Sequence, residues 1–224
     1  MGIKTNNVLI KPDDIINAVL SGIKSTQNKY KNWVNRNISI SWGPEYLLTT
    51  YIAESIFESA PKFFVKLEES TYNTMRESGS KTRLSNNKRT LTGRADIIVL
   101  DNDLPKYIVE VKNRVNRLEN IHDDLDRLSY MVSKEKGATS IEYGMMAFLI
   151  DVDYDVKSLG KNNCVEKLDQ KIQTIFQNAQ GNKRYGQSIK EYYYESFEEP
   201  EYDYSESKKR IWGWAAVVFV IRPN

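Results

Sequence analysis

Two adjacent segments organise this chain, Arg94-Ala-Asp-Ile-Ile-Val-Leu100 and Tyr107-Ile-Val-Glu-Val-Lys112. Both are short and rich in β-branched residues, and the turn-forming stretch Asp101-Asn-Asp-Leu-Pro105 joins them, so the pattern predicts the two strands of a hairpin. Side chains alternate between the two faces of a strand, which places Glu110 and Lys112 on the same face.

Charged side chains interrupt these otherwise apolar strands. Asp96 lies near the start of the first strand, and Glu110 and Lys112 lie at the end of the second. Isolated charges are costly to bury unless they are paired or bound to a metal ion. Two carboxylates and a lysine can hold a divalent cation and a phosphate, and we expect that chemistry here. A salt-bridge network inside the sheet is the alternative that involves no ligand.

The spacing of these charges resembles the PD-(D/E)xK nuclease superfamily, in which an acidic residue on one strand precedes Glu-x-Lys on the next strand of a hairpin. Here Asp96 is followed, after thirteen residues, by Glu110-Val111-Lys112. The residue before the family's Asp is often proline, and this chain has Ala95 instead. The resemblance implies metal-dependent hydrolysis of phosphodiester bonds.

The order of predicted elements around the hairpin matches the same superfamily. Pro44 starts an amphipathic helix that Ala60-Pro61 ends, and a polar stretch at 70–92 leads into the hairpin. The remaining elements of this region are a strand at Lys62–Leu67, a helix at Asn116–Lys134 and a strand at Tyr143–Ile150. We therefore predict an α/β fold with a restriction endonuclease-like αβββαβ core over about 44–152, in which helices flank a mixed central sheet.

The segments outside this core complete a single domain of residues 1–224. A helix at 13–35 precedes the core and is interpreted as a packing helix rather than a partner helix. A C-terminal extension at 160–224 contains a helix around Val165–Phe176 and an apolar strand at Trp212–Ile221. Between these two elements, the acidic, tyrosine-rich segment 191–206 is predicted to be an exposed connection.

The resemblance also implies a role for each charged residue. Asp96 and Glu110 would be direct ligands of Mg²⁺ or Mn²⁺, together with the backbone carbonyl of Val111. Lys112, kept protonated by neighbouring acids, would orient a water molecule or stabilise the transition state.

Many members of the superfamily carry a further acidic residue on the helix that precedes the sheet. Glu45, in the first turn of the helix at 44–60, is the predicted residue, and it lies on the same side as Leu48 and Ile52. Glu54 and Glu58 are alternatives on the more polar face. A glutamate favoured only by the helix dipole is equally compatible with the sequence.

Basic residues cluster on both sides of the hairpin although the net charge of the chain is only +2. Lysines and arginines that neutralise phosphates are the usual source of nucleic-acid affinity. The predicted contacts are Lys81, Arg83, Lys88, Arg89, Arg94, Arg114 and Arg117. The polar segment 70–92 would then lie against a nucleic-acid backbone, and a loop without function is the alternative.

Several other chemistries are excluded. His122 is the only histidine and Cys164 the only cysteine, which removes histidine-based metal sites, Ser-His-Asp hydrolases and internal disulfides. The phosphate-binding glycine motifs of P-loop and Rossmann enzymes do not occur. No apolar run approaches the roughly 18 residues of a membrane span, so we expect a cytoplasmic protein without a membrane partner.

These observations predict a metal-dependent DNA endonuclease, with a restriction or anti-phage defence role as the favoured setting. Cutting both strands of a duplex usually requires two active sites, so a homodimer is expected. Two alternatives stay open: a catalytically inactive member that binds nucleic acid or a partner, and a nuclease directed at RNA.

Overall fold

The structure is a computed structural model that describes residues 4–5, 14–34, 39–80, 93–133, 139–155, 163–199, 202–205 and 208–223. Its helices are α1 (Asp14–Val34), α2 (Glu45–Ser59), α3 (Thr71–Glu77), α4 (His122–Val132) and α5 (Cys164–Gln180). Its strands are β1 (Lys4–Thr5), β2 (Phe64–Ser70), β3 (Arg94–Asp101), β4 (Leu104–Lys112), β5 (Tyr143–Asp155), β6 (Ile189–Glu198), β7 (Tyr202–Ser205) and β8 (Lys208–Ile221). Short 3₁₀ turns cover Ile40–Trp42, Leu118–Asn120 and Gly186–Ser188.

The strands form one mixed sheet flanked by helices, which confirms the predicted α/β class. The sheet order is β1-β6-β8-β5-β4-β3-β2, and β7 pairs with β8. Strands β4 and β5 are parallel, and α4 lies on the connection between them, as expected for a parallel crossover. The predicted order of helix, three strands, helix and strand is present, with α3 inserted between β2 and β3.

A hydrophobic layer lies on each face of the sheet, and the hairpin strands contribute to both layers. On β4, Val109 and Val111 pack in the layer that contains α1 and α2, whereas Ile108 packs in the layer that contains α4 and α5. Glu110 and Lys112 lie two and four residues after Ile108, so strand alternation directs their side chains to the same face, which is the side of α4.

Helix α1 is unbroken from Asp14 to Val34, although Gly22 lies near its middle. The glycine permits a close approach to α2, because a Cβ atom added at Gly22 would lie 2.5 Å from the Cα of Ile52. The predicted packing role of this helix is confirmed, since its buried residues belong to the core layer shared with α2. The tight pairing fixes the position of α2, which carries Glu45.

The β3–β4 hairpin has the predicted turn. Asn102 and Asp103 are its two central residues, with φ angles of 48° and 66°. Two consecutive positive φ angles are the signature of a type I′ turn, whose twist suits a hairpin and which favours Asn and Asp. The pairing then runs from Asp101 opposite Leu104 to Ile97 opposite Val109, with one irregularity beside Val99.

The helix predicted at Asn116–Lys134 begins later than the apolar pattern suggested. The Asn120 side chain accepts hydrogen bonds from the backbone N–H groups of Asn116 and Arg117, at 3.1 and 3.2 Å. These bonds hold the preceding residues in a 3₁₀ turn, so the α-helix starts only at His122. The local side-chain bonds thus outcompete helical pairing at this end.

The segment 70–92 contains a helix, α3, that its polar sequence did not predict. Ser70 caps α3 by accepting a hydrogen bond from the backbone N–H of Asn73 at 3.4 Å, and Met75 is fully buried. The strand predicted at Lys62–Leu67 is shifted, since β2 spans Phe64–Ser70 and pairs with β3 along this length. Residues 81–92 lie outside the described residues.

The interpretation of 191–206 as an exposed connection is wrong. Residues Ile189–Glu198 form β6, which pairs with β8 in the sheet, and Tyr192, Tyr193 and Tyr194 are buried. Aromatic packing explains the burial, because the Tyr192 ring lies 4.3 Å from that of Phe176. The C-terminal strand β8 lies between β5 and β6, so the predicted extension is part of the sheet itself.

None of the helices in the described parts of the chain combines the length and the apolar character that crossing a membrane requires.

Candidate active site

The hairpin brings the two strand carboxylates to the same end of the β3–β4 pairing. The paired positions end at Ile97 opposite Val109, and Asp96 and Glu110 are the next residues on the two strands. The backbone N–H of Val111 donates a hydrogen bond of 2.6 Å to the Asp96 carboxylate. Asp96 is therefore held against the strand that carries the Glu-x-Lys element.

Glu110 is buried and forms a two-point ion pair with Arg127 of α4. The Arg127 Nε atom donates to one carboxylate oxygen and its Nη2 atom lies against the other, both at 2.8 Å. The Glu110 side chain is only 2% exposed. Burial raises the pKa of Glu110 to about 8, with the hydrogen bonds and charge of Arg127 opposing the shift and the charges of Asp96 and Asp124 adding to it.

Lys112 lies between two carboxylates and is partly open to solvent. Its Nζ atom lies 3.3 Å from Glu45 and 3.5 Å from Asp124, and the side chain is 33% exposed. Burial acts to lower the pKa of Lys112, but the charges of Asp124, Glu45 and Asp96 together raise it above its ordinary value. The ammonium group is therefore charged at neutral pH.

Glu45 reaches this group of charges from the first turn of α2, where the helix dipole favours a carboxylate. One oxygen accepts a hydrogen bond from Lys112, and the other accepts one of 3.0 Å from the backbone N–H of Asn113. Pro44 serves as the cap residue of α2 rather than as its first helical residue. The structure thus brings Glu45 to Lys112, whereas the exposed Glu54 pairs with Lys29.

Asn113 anchors the start of α2 to the end of β4. Its side-chain amide donates to the backbone carbonyls of Ile40 and Gly43, at 2.8 and 2.6 Å. Its side-chain oxygen is buried and has no hydrogen-bond partner among the residues that the structure describes.

A further acidic residue, Glu68 of β2, acts on Asp96. The pairs Leu67–Ile97 and Glu69–Ala95 set Glu68 opposite Asp96 in the register. Burial raises the pKa of Asp96 above its ordinary value, and the charges of Glu45 and Glu68 contribute to the rise against the Val111 N–H and Lys112. Glu68 has a φ angle of 54°, which is a strained conformation for a residue with a side chain.

Four residues of this group are not predicted from the sequence pattern, namely Glu68, Asn113, Asp124 and Arg127. For the two on α4 a signal is present, because Asp124 lies four residues before Leu128 and Arg127 lies four residues before Met131, so both interrupt the apolar stripe of the helix. The sequence around Glu68 and Asn113 gives no such signal, because the contacts of these residues depend on the sheet register and on the position of α2.

The predicted nucleic-acid contacts fall into two sets. Arg94, Arg114 and Arg117 are exposed around the hairpin, and Arg117 lies 3.9 Å from Glu119. The remaining predictions, Lys81, Arg83, Lys88 and Arg89, lie outside the described residues.

The donors of this site match a hard divalent cation in chemical type. Carboxylate oxygens such as those of Asp96, Glu110 and Glu45, and backbone carbonyls such as that of Val111, are the ligands that Mg²⁺ and Mn²⁺ prefer. No group of three or more His, Cys, Asp or Glu side chains within the described ranges is already close enough to hold a metal ion. Glu110 would have to exchange its Arg127 partner for the cation.

Comparisons with protein-family models, with curated protein sequences and with solved structures find no match for this chain. What the chain does is therefore inferred from its own residues.

Proposed function

We propose that this protein is a metal-dependent nuclease with a restriction endonuclease-like core, and that it hydrolyses DNA phosphodiester bonds. The convergence of Glu45, Asp96, Glu110 and Lys112 carries the proposal. Glu45 and Lys112 are 67 residues apart in sequence, yet their charged groups are 3.3 Å apart. Of these four groups Glu110 is buried and Asp96 is half-buried, and carboxylates in such positions are costly unless they are paired or bind a ligand.

The proposed chemistry divides the work between these residues. Asp96, Glu110, Glu45 and the Val111 carbonyl would hold Mg²⁺ or Mn²⁺, which supplies an acidified water and neutralises charge on the scissile phosphate. Lys112 stays protonated and donates to the attacking water or to a phosphate oxygen. Asn113 holds the Glu45 carboxylate toward Lys112 through its backbone N–H.

One observation favours a second candidate, a member of the same fold that binds nucleic acid without cutting it. Arg127 contacts both oxygens of Glu110, so the buried carboxylate already has a counter-charge. A cation at this position would compete with a two-point ion pair, which is among the stronger side-chain interactions. A protein that never releases Arg127 would keep its basic surface and lack activity.

A substrate panel separates the candidates. The purified chain is incubated with supercoiled plasmid, linear duplex, single-stranded DNA and RNA, with Mn²⁺, with Mg²⁺ and with a chelator. Metal-dependent cutting of DNA is the expected result, and cutting of RNA alone would redirect the proposal to an RNA nuclease. Salt-sensitive binding without cutting at any metal concentration would support the inactive candidate.

A further inference from the structure

A cavity lies beside the candidate active site and is not used by the chemistry proposed above. It has a volume of about 440 Å³ and lies between the 3₁₀ turn Ile40–Trp42, the residues that follow β4, the end of β5 and helix α5. The residues used here are Trp42, Arg114, Asn116, Asp151 and Lys171. The cavity therefore lies at the carboxyl end of the parallel pair β4–β5, where α/β sheets commonly bind ligands.

Trp42 gives this cavity an aromatic surface. The side chain is 66% exposed, which is unusual for the largest apolar residue. The Arg114 guanidinium carbon lies 4.4 Å from the centre of the indole ring, so a cation is already stacked on the aromatic system. With this exposure the indole retains a large surface for another flat group.

Two cations face the same cavity. Lys171 donates to the side chain of Asn116 at 2.8 Å and contacts the Asp151 carbonyl at 3.4 Å. Burial lowers the pKa of Lys171, and the charge of Arg114 lowers it further against the opposing effect of Asp151. An anion placed between Lys171 and Arg114 would offset this repulsion.

The acidic residues of the cavity are already engaged. Asp151 accepts a hydrogen bond of 2.5 Å from Ser41, and Asp153 forms an ion pair of 2.9 Å with Arg210. Asp151 keeps its charge and acts on Lys171, whereas Arg210 neutralises Asp153, so Arg114 is the cation that lies against the exposed indole. A flat ring joined to a phosphate is the ligand that matches an aromatic face beside two cations.

The cavity adjoins the proposed cleavage centre through the backbone. Arg114 follows Lys112 by two residues, which sets their Cα atoms at most about 7 Å apart. Asn113, between them, bonds both to Glu45 and to the carbonyl of Gly43, which follows Trp42.

We propose that this cavity binds an unstacked nucleobase of the nucleic-acid strand, with its ring on Trp42 and the adjoining phosphate between Arg114 and Lys171. This inference rests on the proposed function for its ligand class. Under this inference, base stacking on Trp42 holds the nucleic-acid strand beside the cleaved bond, and such stacking does not depend on the base sequence. A strand with unpaired bases is therefore the preferred ligand over a continuous duplex.

Binding of a labelled oligothymidylate tests the proposal, with Asp96→Asn as the background so that no cutting interferes. Trp42→Ala is expected to weaken binding between about fivefold and about a hundredfold, the usual loss for one stacking ring. Trp33→Ala is the matched control, because Trp33 is 61% exposed on α1 and is absent from the cavity lining. Oligothymidylate should quench tryptophan fluorescence more strongly in the Asp96→Asn protein than in its Trp42→Ala derivative, in which Trp212 is the tryptophan that remains in the cavity lining.

Further measurements distinguish a mononucleotide ligand from a nucleic-acid strand, and they test the cavity and the nuclease activity separately. A free thymidine monophosphate that binds as tightly as the oligonucleotide would overturn the strand assignment, as would equal affinity of the Trp42→Ala and Trp33→Ala variants. Trp42-dependent binding with no cutting by the parent chain would support the base-binding cavity and contradict the proposed nuclease activity. If Trp42→Ala changes neither metal-dependent cutting nor oligonucleotide binding, the nuclease proposal is supported and the base-binding cavity is contradicted.

Discussion

Glu110 and Arg127 stabilise each other only as a pair. The Glu110 side chain is 2% exposed and that of Arg127 is 21% exposed, so neither charge has full access to water. We predict that Arg127→Met lowers the free energy of unfolding by about 3–5 kcal/mol, because it leaves a buried carboxylate without its partner. The double variant Glu110→Met, Arg127→Met should recover most of this loss. Denaturant unfolding measures both effects, and a single-variant loss below about 1 kcal/mol would contradict the description of the pair.

Proton competition at the same residues predicts pH-dependent metal binding. A ligand carboxyl must lose its proton before it can bind a cation, and burial raises the pKa of Asp96 above its ordinary value and that of Glu110 to about 8. The affinity for Mn²⁺, measured by calorimetry, should therefore rise from about pH 6 to about pH 8 and level off above that range. An affinity that is constant over this range would show that Glu110 is not a ligand.

The strained backbone of Glu68 allows a test of its charge. Glycine adopts a positive φ angle without strain, so Glu68→Gly should leave the free energy of unfolding unchanged or raise it by up to about 1 kcal/mol. The same substitution removes a carboxylate that acts on Asp96, and we predict weaker Mn²⁺ binding. Asp103→Gly is the control, because Asp103 also has a positive φ angle but lies in the hairpin turn. Equal Mn²⁺ affinities in the two variants would exclude a role for Glu68 in the site.

At the level of elements, Asn113 couples helix α2 to strand β4. Asn113→Ala removes two hydrogen bonds to buried or half-buried carbonyls, and we predict a loss of about 1–3 kcal/mol in the free energy of unfolding. Amide hydrogen exchange over residues 39–46 should accelerate at the same time. Asn116→Ala, at an exposed position, is expected to change stability by less than about 0.5 kcal/mol. Comparable exchange in both variants would mean that Asn113 does not hold this turn.

The elements that the sequence predicts well are those with local patterns. The alternation along Arg94–Asp101 and Leu104–Lys112 and the Asn102-Asp103 turn define the hairpin without reference to the rest of the chain. Glu45 is predicted from its place in the first turn of a helix, and the structure brings it to Lys112. These features depend on strand alternation and on helix starts, both of which short stretches of sequence record.

Features that depend on distant neighbours are not predicted. The composition of β6 suggests exposure, but distant cations pair with its acids: Lys24 of α1 lies 3.2 Å from Glu195, and Arg222 lies 2.7 Å from Glu191. Its tyrosines become buried because Phe176 and Phe219 lie beside Tyr192. The partners of each charge are fixed only by the finished fold, and so is the pairing of Glu110 with Arg127.

At the scale of the whole molecule, the sheet and its two helical layers bring the proposed site to one end of β4. Helix α2 supplies Glu45 from one layer, and α4 supplies Asp124 and Arg127 from the other. The cavity around Trp42 lies next to this group, at the carboxyl end of β4 and beside β5. A nucleic-acid strand bound along this edge of the sheet would contact first the Trp42 ring and then the carboxylates.

The most direct test of this arrangement is the rate at which Mn²⁺ supports cleavage of a labelled oligonucleotide by the parent chain and by Asp96→Asn. Asparagine keeps the shape of the side chain and removes its charge, and Asp103→Asn in the hairpin turn serves as the matched control. We predict metal-dependent cleavage by the parent and the control, and a loss of at least about a hundredfold in Asp96→Asn, with unchanged thermal unfolding of the variant. Equal cleavage by Asp96→Asn and the parent, or no cleavage by a folded parent chain, would contradict the proposed active site.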